Sequence, residues 1–331
     1  MKEERWGMVL AGGGGKGAYQ IGVMRALVEE GWHKFIDSVA GSSIGALNAV
    51  LYAQGSIESA EEIWRQIKPE EILDIDLSSG QIIEELQQKY TAFKEFLGSV
   101  SLEEYLGKTI REGICSREGL KKIIKNKVDL RKVKESKCKV YATIAYMQDG
   151  MPKAKYPVLN YMEEEKMLRV LLASSALPVV YDAVNIDGIE YRDGGIADNL
   201  PCKPIRQEGI KNLIVVPLKS QIVQPQKREA NEEYVLTIAP SHNLGDFVSG
   251  TINFEHENIL YRIALGYYDA KIILKERIRA EQGKPTDRLE FKMQMMENHN
   301  RAIQKVKQEK LKEKTEGHFA AFRKYETMIK T

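Results

Sequence analysis

With 331 residues, 43% of them hydrophobic and 29% charged, the chain can bury a sizeable core and does not have the composition of a disordered protein. A net charge of +2 gives no reason to expect a nucleic-acid partner. The three cysteines, Cys115, Cys138 and Cys202, form neither a CxxC pair nor a metal-ligand spacing, so free thiols in a reducing compartment are expected.

The opening MKEERWGMVLAGGGG is too poor in apolar residues for a signal-peptide core. No run approaches the roughly 18 apolar residues of a membrane span, and a cytoplasmic protein is expected. Residues 6–11 read as a short apolar strand that runs into Gly12-Gly13-Gly14-Gly15-Lys16-Gly17. Helical spacing follows over 18–30 (Ile21, Met24, Leu27, Val28), with Gly31 as the stop. A second strand, 35–40, passes through Gly41-Ser42-Ser43-Ile44-Gly45 into a helix over 44–54. This β-α-β-α start is the signature of a parallel sheet covered on both faces.

The turn after the second strand spells G-x-S-x-G. A strand that enters a helix directly cramps its central residue, so Gly41 and Gly45 keep bulk away. The Ser43 hydroxyl is lifted above the sheet at the positive end of the next helix. The same five residues also suit a tight turn whose glycines serve packing alone.

From 56 to about 117 the pattern is helical and polar, an inserted cap or flap. Its stripe of Leu86, Tyr90, Phe93 and Leu97 is expected to serve packing, with the shielding of an apolar substrate as the alternative. Residues 121–139 carry nine basic side chains against Asp129 and Glu135. A solvated helix face is expected there, and peripheral contact with an anionic membrane is the alternative. A strand over 139–147, a helix over 163–175 ending near Ala173-Ser174-Ser175-Ala176-Leu177-Pro178, and strands over 212–218 and 234–239 follow. After about 245 the chain is helical and charged. It closes on a stripe of Phe319, Phe322, Tyr325, Met328 and Ile329, expected to dock on the core or on a second copy in a homodimer. A membrane-seeking amphipathic helix is the alternative.

A serine nucleophile needs a base and donors for an oxyanion. None of the five histidines (His33, His242, His256, His299, His318) sits in a motif. Asp193, before Gly194 and Gly195, is placed to act as sole base if partly desolvated, although a D-G-G turn is common for backbone reasons alone. The glycine run at 12–17 offers unobstructed N–H groups at a helix N-terminus, suited to a phosphate or an oxyanion. A Walker A loop fails, because Gly17 stands where Ser or Thr is required and Leu10 where the leading Gly is required. Gly12, Gly14 and Gly17 match the dinucleotide fingerprint, but the serine turn occupies the end of the second strand, where an acid belongs.

Taken together and in order, the 12–17 run, Gly41-Ser42-Ser43-Ile44-Gly45, residues 173–178, Asp193-Gly194-Gly195 and Asp198-Asn199-Leu200-Pro201 resemble the patatin-like phospholipases over about residues 5–220. The resemblance implies a three-layer α/β/α sandwich with a mainly parallel sheet, here with a helical insertion (56–117) and a helical extension (246–331) on a domain over 1–245. It implies a lipid acyl hydrolase acting on phospholipid or other fatty-acyl esters, with Ser43 as nucleophile and Asp193 as base. The N–H groups of Gly12, Gly13, Gly14, Gly15, Lys16 and Gly17 would form the oxyanion hole, and no metal or cofactor is implied. A non-catalytic module that holds a lipid headgroup or nucleotide on the glycine loop is the competing reading.

Overall fold

Strands β1 (Trp6–Leu10, WGMVL) and β7 (Asn212–Val216, NLIVV) are buried at every residue, as strands covered on both faces must be. They lie side by side at the centre of an eight-stranded sheet in a computed structural model that describes residues 5–74, 80–97, 113–229, 232–284 and 286–329. The strand order is β5-β6-β3-β2-β1-β7-β8, with β2 at Ile36–Ser42, β3 at Lys139–Gln148, β5 at Val184–Ile186, β6 at Ile189–Asp193 and β8 at Tyr234–Thr237. The five strands from β3 to β8 pair in parallel. The far half of β3 instead pairs antiparallel with β6 and with β4 (Met151–Lys155). Sequence reading misses β4, whose MPKAK has no alternation and no buried residue.

Side chains on β1 alternate between two cores. Trp6, Met8 and Leu10 join the large cluster, and Val9 joins a smaller one with Ala40, Ile205, Leu213 and Val215. Helices α1 (Ala18–Glu29) and α2 (Ile44–Ala53) contribute to the large cluster, while helix Cys202–Gln207 covers the small one. The result is a three-layer α/β/α sandwich with a mainly parallel sheet. Chain order reverses at β1, flanked by β2 on one side and β7 on the other, so the loops leaving these strands diverge and open a crevice.

The insertion supplies α3 (Ile57–Gln66), α4 (Pro69–Leu73) and α5 (Gly80–Phe96). The basic run folds as helices Glu118–Lys127 and Leu130–Glu135. Leu120, Ile123, Ile124, Leu130 and Val133 face inward, and several lysines outside pair with Glu118, Glu163 and Glu165.

The hydrophobic cluster is continuous across residue 245, where the sequence suggests a boundary: Ile259, Ile263, Leu265 and Ile273 of helix His256–Glu281 belong to it. That helix lies along α1, and the long helix Arg288–Ile329 packs on it through Phe291, Met295 and Ala302. The buried Asp269 carboxylate ties these helices together. It accepts hydrogen bonds from Tyr19 Oη (3.1 Å), the Ser241 amide (2.9 Å) and Asn298 Nδ2 (2.8 Å). The stripe expected at Phe319, Phe322, Tyr325, Met328 and Ile329 lies, as side chains, outside the described residues. Among the described residues no helix is long and apolar enough to cross a membrane.

Candidate active site

Ser43 is the single residue between β2 and α2, and it takes φ 55° and ψ −125°, a region that L-residues rarely adopt. The flanking glycines make that turn possible by close approach. A Cβ on Gly41 would stand 2.2 Å from the Gly45 carbonyl, and one on Gly45 would stand 2.3 Å from the Leu10 carbonyl of β1. Strand and helix therefore meet backbone to backbone. Gly45→Ala should lower stability by about 2–3 kcal/mol, read as a fall in the urea midpoint, because backbone rather than a side chain must give way.

Register carries Asp193 to the serine. Ser42 stands opposite Thr143 on one side of β3, and Asp193 stands opposite Ile144 on the other. Ser43, next to Ser42, and Asp193 thus flank the same point of one strand. Gly194 presses on it, since a Cβ there would stand 2.2 Å from the Thr143 carbonyl. Asp193 is 3% exposed, and its Oδ1 accepts the Gly195 amide at 2.7 Å. Burial raises its carboxyl to about 6, against the lowering effects of the Ser43 hydroxyl and the Gly195 amide. Oδ2 has no hydrogen bond of full geometry, although the Ser43 hydroxyl is near enough to ease the carboxylate charge.

The glycine loop leaves the end of β1, and Gly14–Gly17 forms a 3₁₀ turn that feeds α1. The Gly12 amide donates to Asn199 Oδ1 at 3.0 Å, so one of the donors expected from sequence is already committed. The Gly13 N–H makes no hydrogen bond within the described residues. Behind the loop runs a buried chain of amides. Asn48 Nδ2 donates to Gly17 O (3.0 Å) and to Gln20 Oε1 (2.8 Å), Gln20 Nε2 donates to Ala11 O (2.8 Å), and Trp64 of α3 donates to Asn48 Oδ1 (2.9 Å). Such a satisfied buried network fixes the loop from below.

Ser43, Asp193 and part of the glycine loop line one cavity of about 280 Å³. Gly12, Gly13, Gly14, Lys16, Ser43, Asp193 and Gly195 face it, whereas Gly15, Gly17, Gly41, Gly45 and Gly194 do not and serve packing behind it. Among the described residues Asp193 is the one carboxylate on its wall, and no histidine reaches it. The remaining wall is largely apolar, with Ile72, Leu73, Phe93, Leu97, Leu177 and Val180 among its side chains. The α5 stripe meets the expectation of packing and also reaches the cavity. Leu86 and Phe93 are buried, and Tyr90, Phe93 and Leu97 also form part of the cavity wall. Lys16 also faces the cavity. Burial lowers its pKa, as do the like charges of Arg262 and Lys94, while Asp246 opposes them.

Sequence reading gave no role to Asn199, nor to Ser174, whose Oγ accepts the Ser43 amide at 3.0 Å. Both lie in segments that the sequence singles out as motifs. Their partners, however, are 187 and 131 residues away in the chain.

The family model for patatin-like phospholipases matches residues 8–205. The chain is 43% identical over 54 residues to an uncharacterised protein, YjjU, of Escherichia coli, covering 16% of this chain and 15% of that one. It is 52% identical over 48 residues to lysophospholipase nte1 of Aspergillus terreus, covering 14% of this chain and 3% of that protein. The chain thus matches only a small part of these relatives' lengths. Among solved structures, VipD of Legionella pneumophila aligns over 98% of this chain and 79% of its own with a TM-score of 0.52. Its 14% identity makes that a likeness of fold.

Proposed function

Since the chain belongs to the patatin-like phospholipase family, we propose that it is a serine acyl hydrolase that cleaves fatty-acyl esters through Ser43 and Asp193. The observation that carries this reading is a serine on a strained turn facing the same cavity as a buried carboxyl raised to about 6. At pH 7 and above such a carboxyl is ionised yet more basic than an ordinary aspartate, which suits it to take a proton from a hydroxyl. As the proton moves from Ser43 Oγ to Asp193, the oxygen attacks the acyl carbon. The charge that develops on the carbonyl oxygen falls to the N–H groups of Gly13 and Gly14. Collapse of this intermediate expels the alcohol, which takes the proton from Asp193. Water then repeats the sequence: its proton goes to Asp193, its oxygen to the acyl carbon, and the fatty acid is released as Ser43 regains its hydrogen.

The apolar wall is suited to an acyl chain, with the ester at the serine end. A fluorophosphonate probe tests the chemistry, and modification of Ser43 in wild-type protein is expected. An unreactive protein would instead favour a binding module on the glycine loop. Leu97, 41% exposed on the wall, tests the chain path. Leu97→Trp should move the optimum in a series of p-nitrophenyl esters toward shorter acyl groups and lower kcat/KM for long ones several-fold. An unmoved optimum would place the chain elsewhere.

A further inference from the structure

Helix His256–Glu281 lies beyond residue 205, where the family match ends, and it carries an arginine that is 2% exposed. Arg262 donates from Nη1 to Asn253 O at 2.7 Å, and from Nη2 to Ser249 O at 2.8 Å and Leu244 O at 3.2 Å. No carboxylate pairs with it among the described residues, and burial lowers its pKa to about 10. An unpaired buried guanidinium is costly, and packing alone would be served as well by a methionine. Its partners indicate what it does instead.

The three carbonyls belong to the π-helical turn Phe247–Thr251 and its flanks, closed by a capping box at Asp246. This turn rests directly on the glycine loop. A Cβ on Gly14 would stand 2.0 Å from Thr251 O, and one on Gly15 would stand 2.0 Å from Asn253 O. The Asn253 carbonyl that faces Gly15 is the same one that Arg262 holds. From the insertion side, the Tyr90 ring stacks on Phe247 with centroids 3.8 Å apart. A loop of glycines has almost no side chains with which to fix itself, yet an oxyanion hole works only if its donors are fixed before the charge appears.

We propose that Arg262 is a positioning residue for the oxyanion loop, clasping the 244–253 segment against Gly14 and Gly15, so that the site is completed by polypeptide outside the matched family domain. The inference rests on the reading of Ser43 as nucleophile. The guanidinium also adds a fixed positive charge close enough to act on Lys16, and that field favours an anion at the loop.

An alkyl trifluoromethyl ketone labelled with ¹³C at the carbonyl forms a hemiketal with a nucleophilic serine, and its ¹³C shift reports the pKa of the hemiketal oxygen. In Arg262→Met, kcat should fall about 100-fold with KM within threefold of wild type. The hemiketal should titrate at least one unit higher. Arg262→Lys, which keeps the charge but cannot span three carbonyls, should fold and lose at least tenfold in kcat, with the titration shifted in the same direction. It carries the test alone if the Met variant does not fold. A purely structural arginine would lower the melting temperature and leave the hemiketal pKa of the folded fraction unmoved. That result, or a folded variant with wild-type kcat, overturns the proposal. A wild-type protein that forms no adduct overturns the Ser43 reading and this inference with it.

Discussion

Ser43→Ala should lower kcat for fatty-acyl esters by roughly four to six orders of magnitude in a protein that remains folded, since the proposed acyl intermediate forms on the Ser43 oxygen. The fold should survive because the Ser43 side chain caps no helix and alanine meets the same backbone demand. Ser43→Gly separates strain from chemistry. At φ 55° glycine is at ease, so this variant should be equally inactive but about 1 kcal/mol more stable than wild type by urea denaturation. A folded Ser43→Ala protein with a rate within tenfold of wild type would remove the serine from the mechanism. A Ser43→Gly variant no more stable than Ser43→Ala would remove the strain.

Asp193→Asn should lower kcat by three or more orders of magnitude, because the amide accepts no proton. In wild type, kcat/KM should fall about tenfold per unit as pH drops below about 6, where the base becomes protonated. Stability should move the other way. The Asp193 carboxyl titrates at 3.8 in the unfolded reference and at about 6 when folded, so the folded state binds the extra proton between these values. The stabilisation from that proton is complete below the unfolded value and is lost as pH rises through 6, a change on the order of 3 kcal/mol. Asp269 acts in the same direction: burial raises it to about 6, against hydrogen bonds from Ser241, Asn298 and Tyr19. These two groups should make the protein more stable at pH 5 than at pH 7.5, while activity is lost. Asp193→Asn should be at least as stable as wild type at pH 7.5 and should lose its share of the pH dependence. Unfolding curves for both proteins at the two pH values decide it. A marked loss of stability in the Asn variant at pH 7.5 would mean that the carboxylate is compensated in the fold and is not a poised base.

The residues that were legible from sequence share a local cause. Gly41, Ser43 and Gly45 announce a strand-to-helix turn because each restriction falls on a neighbour in the chain, and the observed β2, turn and α2 follow that pattern. The apolar runs of β1 and β7 announce buried parallel strands for a similar reason, because they show no alternation. Asp193 could be named from its motif, but its nearness to Ser43 depends on two ladders meeting at residues 143 and 144 of β3. Nothing in the local spacing encodes that register.

The sequence by itself therefore determined the parallel α/β class, the cramped serine and the family to which the motifs point. The first two follow from backbone sterics and periodicity over a few residues, and the third from the resemblance of the motifs taken together. Only the tertiary structure decided that Asn199 takes the Gly12 amide, that α5 walls the cavity, and that helix His256–Glu281 completes the core and holds the turn beneath the glycine loop. Those contacts join residues far apart in the chain, and they depend on how whole layers pack, which no short stretch of sequence records.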